Sequence, residues 1–266
     1  MSTNLKIKGK ILAALTDDER WFLWEKALSA EGKSLKETLI EENMHYLKWS
    51  REKVLSYWGV AGTQKIKENW IKENPKTKKE INEHYNKLYL YIPELSSWHA
   101  IEKNIDLIKA VEFLQFCARN NLRSYLDFGA GIGSAALFFA YYGFSVSCAD
   151  ISNSMLGYSR WRFKRHHAKA HFIDLKKNKL PENKFDCVMS MEVLEHVPDP
   201  IETVNNIRLS LKPGGYLFVT TPFLKDEERP QHLVHDMRIA DQFEKIGFIV
   251  ISVSKNKIYR IYKRIK

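Results

Sequence analysis

Cysteine and long apolar stretches are scarce in this chain of 266 residues. Its three cysteines, Cys117, Cys148 and Cys187, lie far apart and share no metal-ligand spacing, so neither a disulfide framework nor a zinc site is predicted. No apolar run approaches the roughly 20 residues that a membrane-spanning helix needs. The lysines of residues 1–10 precede no long apolar core with a cleavage site, so no signal peptide is predicted. We therefore expect a soluble, cytoplasmic protein.

Negative charge is also in short supply, because the formal net charge is +10 and the isoelectric point is near 9.3. Such an excess of positive charge could attract nucleic acid, an anionic membrane surface or an acidic substrate. The lysines are spread along the chain, however, and form no single block, which is typical of a solvated surface. Charge alone leaves nucleic acid as one candidate partner.

The first 96 residues contain helical patterns only. Two segments begin with capping-box spacing, and two more carry apolar residues at helical spacing. One predicted helix begins at residue 16, and three more cover about residues 34–57, 77–91 and 98–119. Pro75 and Pro93 are expected to interrupt the helical stretches, since proline lacks the backbone donor that a helix interior needs.

From Leu122 onward, short apolar runs alternate with helical segments, which is typical of a parallel α/β sheet. The predicted strands cover residues 124–128, 145–149, 170–173, 185–190, 215–220, 248–254 and 258–263. The last two are expected to pair antiparallel, because a short connection cannot make a parallel crossover. We predict an α/β fold with a seven-stranded, mostly parallel sheet and a helical N-terminal extension.

A glycine-rich loop, Asp127-Phe-Gly-Ala-Gly-Ile-Gly133, follows the first predicted strand. Glycines let the backbone turn sharply and approach a ligand closely, so the loop suits a nucleotide-like ligand. A purely structural turn is one alternative. A dinucleotide fingerprint is another, in which the third glycine would fall at Ser134, and the loop alone does not separate these readings.

Further acids follow other predicted strands. Asp150 ends the second strand and suits bidentate hydrogen bonding to ribose hydroxyls. Asp174 ends the third strand, Glu192 follows the fourth, and a Lys-Pro-Gly-Gly turn at 212–215 precedes the fifth. For each acid, the alternative is a strand-end residue or helix cap that faces water.

This order of elements resembles the class I S-adenosylmethionine-dependent methyltransferases, over roughly residues 122–263. The resemblance implies a Rossmann-like fold with S-adenosylmethionine as cofactor. It places Asp127 and the glycine loop at the methionine part, Asp150 at the ribose, and Asp174 with Leu175 at the adenine. The predicted cofactor-binding residues are Asp127, Gly129, Ala130, Gly131, Gly133, Asp150, Ile151, Asp174, Leu175 and Met191.

The segment 191–200 is similar to the matching segment of the ubiquinone-biosynthesis O-methyltransferases. This resemblance predicts Glu192, Glu195 and His196 as the catalytic residues. Helical spacing would bring the two glutamates onto one face of a helix, with His196 at the next position around it. A neutral His196 could remove the proton of a hydroxyl acceptor as a general base.

A divalent cation could assist the same acceptor oxygen. Two carboxylates and a histidine suit a hard metal, and a further histidine could come from His232 or His235. The small-RNA 2′-O-methyltransferases use a similar set of two glutamates and two histidines, whereas their relatives more often keep the Glu-His pair without metal. A structural turn is the third alternative, and we predict no metal ligand.

The resemblance predicts an enzyme that transfers a methyl group to an oxygen or a nitrogen. We expect a small and partly apolar metabolite as the acceptor, because aromatic residues of the N-terminal helices could form an apolar pocket: Trp21, Phe22, Trp24, Tyr46, Trp49, Tyr57 and Trp58. An RNA methyltransferase, with or without a metal, is the first alternative; it would need a continuous Lys/Arg stripe beside the catalytic residues. A non-catalytic cofactor-binding partner or sensor is the second, and a dehydrogenase fits the order of elements less well. Residues 1–96 are predicted to be a lid that selects the substrate, and residues 97–266 the S-adenosylmethionine-binding domain.

Overall fold

The computed structural model of the protein describes residues 13–87, 89–223, 226–236 and 238–265. Residues 1–10, on which the signal-peptide prediction rests, lie outside these ranges. Helices precede the first strand, as predicted: α1 (Asp17–Leu28), α2 (Leu35–Leu47), α3 (Arg51–Leu55), α4 (Val60–Glu73), α5 (Lys78–Lys87), α6 (Tyr91–His99) and α7 (Ile105–Arg119). Every helix in the described part of the chain is too short or too polar to cross a membrane.

Local capping chemistry begins the first two helices. The Thr16 side chain accepts a hydrogen bond from the Glu19 N–H, and the Glu19 carboxylate accepts one from the Thr16 N–H at 2.9 Å. The Ser34 hydroxyl accepts a hydrogen bond from the Glu37 N–H at the start of α2. These side chains satisfy backbone donors that have no partner inside the helix.

Three predicted helix boundaries were wrong. The helix predicted over 34–57 is interrupted at Lys48, whose φ of 58° is left-handed, and α3 begins after it. Pro93 lies in the first turn of α6, where its missing N–H needs no partner, so it does not break that helix. Trp98 belongs to α6, and α7 begins only after Asn104, which caps it. Helix α4 was not predicted.

The second half forms the predicted seven-stranded sheet, in the order β3-β2-β1-β4-β5-β7-β6. Strands β1 to β5 pair parallel, and β7 pairs antiparallel with both β5 and β6. The strands are β1 (Ser124–Phe128), β2 (Ser145–Asp150), β3 (His171–Asp174), β4 (Phe185–Ser190), β5 (Leu211–Thr220), β6 (Phe248–Val253) and β7 (Tyr259–Arg264). The connecting helices are α8 (Ser134–Tyr141), α9 (Asn153–Arg165), α10 (Pro200–Ser210) and α11 (Ile239–Gln242).

The sheet order fixes where a ligand can bind. The chain moves outward from β1 to β3 and then returns to place β4 on the other side of β1. In open α/β sheets, a crevice forms at the carboxyl ends of the strands where the order reverses. The loops that follow β1 and β4 therefore meet at one edge, and they contain the glycine loop and the predicted catalytic segment.

The N-terminal helices share a core with the sheet. Trp24 and Leu28 of α1 are wholly buried, and they belong to one apolar cluster with Phe113 of α7 and with Phe138 and Phe139 of α8. The Trp24 and Phe138 rings pack with centroids 5.1 Å apart. Trp24 is therefore a core residue. The predicted division after residue 96 falls within α6, and it stays a prediction.

Candidate active site

The glycine loop connects β1 to α8 in a left-handed backbone conformation. Gly129, Gly131 and Gly133 have φ angles of 72°, 51° and 74°, which residues other than glycine rarely adopt. A Cβ at Gly129 would lie only 2.3 Å from the Val193 Cγ2 atom. The loop and the segment after β4 therefore touch directly, and only a glycine fits at their contact.

Asp127, at the carboxyl end of β1, is 5% exposed. Its carboxylate accepts a hydrogen bond from the Ala136 N–H at 3.1 Å, and it has no ion-pair partner among the described residues. Burial raises the pKa of Asp127 to about 7. The site thus holds a carboxyl group that a cation in contact with it would return to its charged form.

Asp150 ends β2 and holds the glycine loop from the other side. One carboxylate oxygen accepts a hydrogen bond from the Gly131 N–H at 2.9 Å, and the other accepts one from the Ser152 N–H at 2.7 Å. Burial raises its pKa, although these backbone donors favour the charged form. Each oxygen keeps a second lone pair for a ligand hydroxyl.

The residues after β3 complete this edge. The Leu175 N–H donates to the Asp150 main-chain oxygen at 3.0 Å, and Asp174 accepts a hydrogen bond from the Lys176 N–H at 3.0 Å. The Asn86 side-chain oxygen, on α5, accepts hydrogen bonds from the Asn153 N–H at 3.1 Å and from the Lys176 ammonium at 2.5 Å. Helix α5 therefore lies across the edge where the adenine was predicted.

Helix α6 covers the glycine loop itself. Leu95 lies close to Gly131, since its Cδ1 atom would be 3.3 Å from a Cβ at that position. Ile92, wholly buried, packs with Ile132 of the loop and with Tyr158 of α9 in one small apolar cluster. The N-terminal helices thus form one wall of the predicted site.

The segment after β4 does not form the predicted regular helix. Glu192 has a left-handed φ of 53°, and its N–H donates to the Thr220 hydroxyl at 2.6 Å. A single 3₁₀ turn, Leu194–His196, then follows. The predicted helical spacing was therefore wrong, because the chain turns sharply at Glu192 before the helical turn begins. The Glu192 and Glu195 carboxyls are nevertheless close enough to interact, as the prediction required.

Glu195 and His196 lie side by side on this turn. Glu195 is fully buried, and neither of its carboxylate oxygens has a hydrogen-bond partner in the described part of the chain. Its Oε1 atom is 3.8 Å from the His196 Nε2 atom. The His232 ring packs edge-on against His196, with centroids 4.7 Å apart.

Burial sets the charge state of this group. It raises the pKa of Glu192 to about 7 and also raises the pKa of Glu195, and the two carboxyls repel each other's charge. It lowers the pKa of His196 to about 3 and that of His232 to about 4. Both imidazoles are therefore neutral at pH 7, with a lone pair free on one ring nitrogen.

Comparison with known proteins decides the family. A family model described as a methyltransferase domain matches residues 98–253, more than half of the chain. The chain belongs to this methyltransferase family. The predicted class I S-adenosylmethionine-dependent methyltransferase fold is thereby confirmed.

Curated relatives match this chain over part of their length. The ubiquinone biosynthesis O-methyltransferase of Coxiella burnetii is 32% identical over 98 residues, which are 36% of this chain and 42% of that protein. The enzyme of the same name from Hydrogenovibrio crunogenus is 32% identical over 115 residues, or 42% of this chain and 47% of that protein. The chain spans less than half the length of these relatives.

A solved structure supports the fold independently. A SAM-dependent methyltransferase from Leishmania major superposes with a TM-score of 0.53 at 16% identity, covering 76% of this chain and 91% of that one. At this identity the likeness concerns the fold alone.

The loop of this methyltransferase domain fits S-adenosylmethionine, the cofactor of the family. The buried Asp127 carboxyl has no cationic partner among the described residues, and the cofactor carries an ammonium group. The left-handed φ angles of Gly129 and Gly131 let the loop turn tightly at the carboxyl edge of the sheet, where a ligand can approach its backbone. Asp150 offers free lone pairs to ribose hydroxyls. The predicted roles of individual residues stay predictions.

A metal ion would also find ligands in the methyltransferase site. Glu195, His196 and His232 each offer one ligand atom, and these atoms lie within 4.8 Å of one another. Neutral imidazoles and an unpartnered carboxylate suit a divalent cation. Of the two histidines considered from sequence, His235 packs instead against Phe223, with ring centroids 5.3 Å apart.

The sequence analysis did not single out the aromatic residues that extend from His196 into the N-terminal helices. Tyr85 of α5 packs its ring 5.3 Å from that of His196, and its centroid is 6.0 Å from Trp70 and from Tyr91. These residues share no motif, and only the path of the helices brings them to His196. Of the aromatic residues that were predicted to line the pocket, Trp24 is a core residue, and the predicted set did not include Trp70, Tyr85 or Tyr91.

Arg229 was missed as well. Its guanidinium lies 4.7 Å from the centroid of the Trp98 ring, and the indole N–H of Trp98 donates to the Glu94 carboxylate at 2.7 Å. The positive charge of Arg229 lowers the pKa of Glu192 and Glu195, against the raising effect of burial. This arginine, from the loop after β5, therefore offsets part of the acidic charge at the acceptor side.

Proposed function

We propose that the protein transfers the methyl group of S-adenosylmethionine to an oxygen, or a nitrogen, of a small and partly apolar acceptor. One observation carries the proposal above all: Gly129 of the cofactor loop is in contact with Val193, two residues before Glu195. A cofactor on the loop and an acceptor beside His196 would therefore be neighbours. Aligning two reactants in this way can lower a barrier by roughly 7–11 kcal/mol in favourable systems.

The cofactor would be held by residues at the carboxyl ends of four strands, β1 to β4. Asp127 would pair with the methionine ammonium, and Asp150 would accept hydrogen bonds from the ribose hydroxyls. When bound, the cofactor supplies a methyl group on a positively charged sulfur. Towards the adenine and along the remaining cofactor wall, the candidate residues are Ile151, Asp174, Leu175 and Met191.

His196 would take up the proton that the methyl acceptor loses. Because its pKa is depressed to about 3, the imidazole is neutral and accepts a hydrogen bond from an acceptor O–H or N–H. As the acceptor atom forms its bond to the methyl group, its proton becomes acidic and passes to the imidazole. The Glu195 carboxyl, whose Oε1 atom lies 3.8 Å from Nε2, would stabilise the imidazolium that forms, and the new positive charge would in turn favour the ionised carboxylate.

The surroundings of His196 favour an acceptor with an apolar or aromatic body. Tyr85 lies against the His196 ring, and Tyr91 and Trp70 extend the aromatic surface. All three come from residues 1–96, which supports a substrate-selecting role for the N-terminal extension. The likeness in segment 191–200 to O-methyltransferases favours a hydroxyl as the reacting group.

A metal-assisted methyltransferase acting on an RNA end is the second candidate. The Glu195, His196 and His232 cluster favours it, because a divalent ion there could bind hydroxyl oxygens of a ribose. Against it, Arg162 of the basic helix α9 is wholly buried and paired with Glu42, so it contributes nothing to an RNA-binding surface.

The test is to measure release of S-adenosylhomocysteine. Phenols, catechols, small amines and short RNA duplexes would be offered, each with and without magnesium or manganese. We expect turnover with a small hydroxyl acceptor, normal cofactor affinity but little turnover for His196→Ala, and weakened cofactor affinity for Asp150→Ala. Turnover only with RNA and metal would favour the second candidate. Cofactor binding without turnover on any acceptor would favour a non-catalytic binding protein.

A further inference from the structure

The Tyr85 hydroxyl contacts one of the two ring nitrogens of His196. Its phenol oxygen lies 2.8 Å from the His196 Nδ1 atom and 3.1 Å from the main-chain oxygen of Gln231. The same Gln231 oxygen is 3.4 Å from the His196 Nδ1 atom. Three polar atoms from α5, the 3₁₀ turn and the loop after β5 therefore converge on one point.

The protons at this point can be assigned from the chemistry of each group. A main-chain carbonyl only accepts hydrogen bonds, and a phenol has a single hydrogen to donate. The Tyr85 hydroxyl donates that hydrogen to Gln231, so the short contact with His196 needs a proton on Nδ1. The Gln231 oxygen, as a second acceptor facing Nδ1, favours the same arrangement.

The other ring nitrogen is then left with the lone pair. Nε2 is the ring nitrogen 3.8 Å from the Glu195 carboxyl, whereas Tyr85 contacts Nδ1. In enzyme sites, the hydrogen bond made by one imidazole nitrogen commonly sets the state of the other. Without such a partner, a neutral histidine side chain favours the proton on Nε2.

We propose that Tyr85 is a positioning residue of the active site, which holds the proton of His196 on Nδ1 and so presents the Nε2 lone pair to the acceptor. The inference rests on the proposed function for the role of His196 as proton acceptor. It gives the N-terminal extension a part in the chemistry: α5 orients the group that receives the proton, in addition to walling the pocket.

The first test needs no substrate. Two-bond ¹H–¹⁵N correlation spectra of the full-length protein labelled with [¹⁵N]histidine distinguish a protonated from an unprotonated ring nitrogen, and His196→Gln assigns the signals. We expect Nδ1 of His196 to be protonated and Nε2 to be unprotonated at pH 7.5. In Tyr85→Phe, proton density should move toward Nε2. A wild-type His196 protonated on Nε2 would overturn the proposal.

The second test uses turnover, on the acceptor found above. Tyr85→Phe should lower kcat by about 10- to 100-fold, as loss of an orienting partner does at comparable sites, with KM for S-adenosylmethionine unchanged. Tyr89→Phe is the matched control, because Tyr89 is half exposed and its ring faces Trp49; it should behave like wild type. Wild-type kcat in Tyr85→Phe would overturn the proposal.

The two tests separate this inference from the proposed function. In one outcome, no acceptor is methylated, but the spectra show the proton on Nδ1 in the wild type and its shift toward Nε2 in Tyr85→Phe. The positioning contact then stands and the proposed reaction fails. If turnover is found but the tautomer is the reverse, the reaction stands and the role of Tyr85 fails. Thermal unfolding of both phenylalanine variants checks that the fold is intact.

Discussion

Asp127→Asn should stabilise the ligand-free protein at high pH while it damages the cofactor site. In the folded chain the Asp127 carboxyl is buried and its pKa is raised from 3.8 to about 7. The folded state therefore binds a proton more tightly than the unfolded state does. Stability is lost as pH rises from about 4 to about 7, and it stays lower above that range. An asparagine has no such loss, because it does not ionise.

The size of the effect follows from the shift. Each pKa unit corresponds to about 1.4 kcal/mol, so roughly two units between pH 5 and pH 7 amount to about 3 kcal/mol. The free energy of unfolding of Asp127→Asn, minus that of the wild type, should increase by this amount between pH 5 and pH 8. Any constant cost of fitting the amide beside Ala136 cancels in this comparison.

Urea unfolding of the ligand-free wild type and variant at both pH values measures this difference. The same samples, titrated with S-adenosylmethionine, report the functional side: the variant should bind weakly at every pH, and the wild type should lose affinity below pH 7 as Asp127 becomes protonated. A stability difference that is the same at pH 5 and pH 8 would contradict the raised pKa of Asp127, because the carboxyl would then not titrate between those values.

Two further substitutions test the contacts that hold the loop. Gly129→Ala should weaken cofactor binding and lower stability, since its Cβ would collide with the segment after β4. Gly143→Ala controls for the strain of a positive φ, because no atom lies within 4 Å of the added Cβ. Calorimetry compares cofactor binding of the two variants, and thermal unfolding compares their stability. Glu42→Gln should destabilise the fold by about 3–5 kcal/mol, because it leaves Arg162 buried without its charge partner. Glu41→Gln, whose partner is a half-exposed lysine, should cost no more than about 1 kcal/mol in the same urea titration.

The sheet and the cofactor loop were predictable because their signals are local. Each strand is a short apolar run, and an acid or a glycine turn marks where a parallel strand ends. Asp127 and Asp150 could therefore be placed at one edge before any coordinates were known, and the antiparallel pairing of β7 follows from the short connection that precedes it.

The acceptor side was less predictable because its contacts are distant in the chain. Tyr85 and His196 are 111 residues apart, and no spacing rule links α5 to the turn after β4. The sharp turn at Glu192 was also hidden, since a left-handed φ at a glutamate leaves no mark in a sequence that otherwise suits a helix. The buried pair of Glu42 and Arg162 was missed for the same reason, because it joins α2 to α9.

Calorimetric titration of the purified protein with S-adenosylmethionine and with S-adenosylhomocysteine asks directly whether the glycine loop binds the cofactor. We expect saturable binding of both ligands to one site, and much weaker binding in Asp127→Asn. If the protein unfolds cooperatively but gives no binding heat with either ligand, the assignment of the glycine loop as a cofactor site is contradicted.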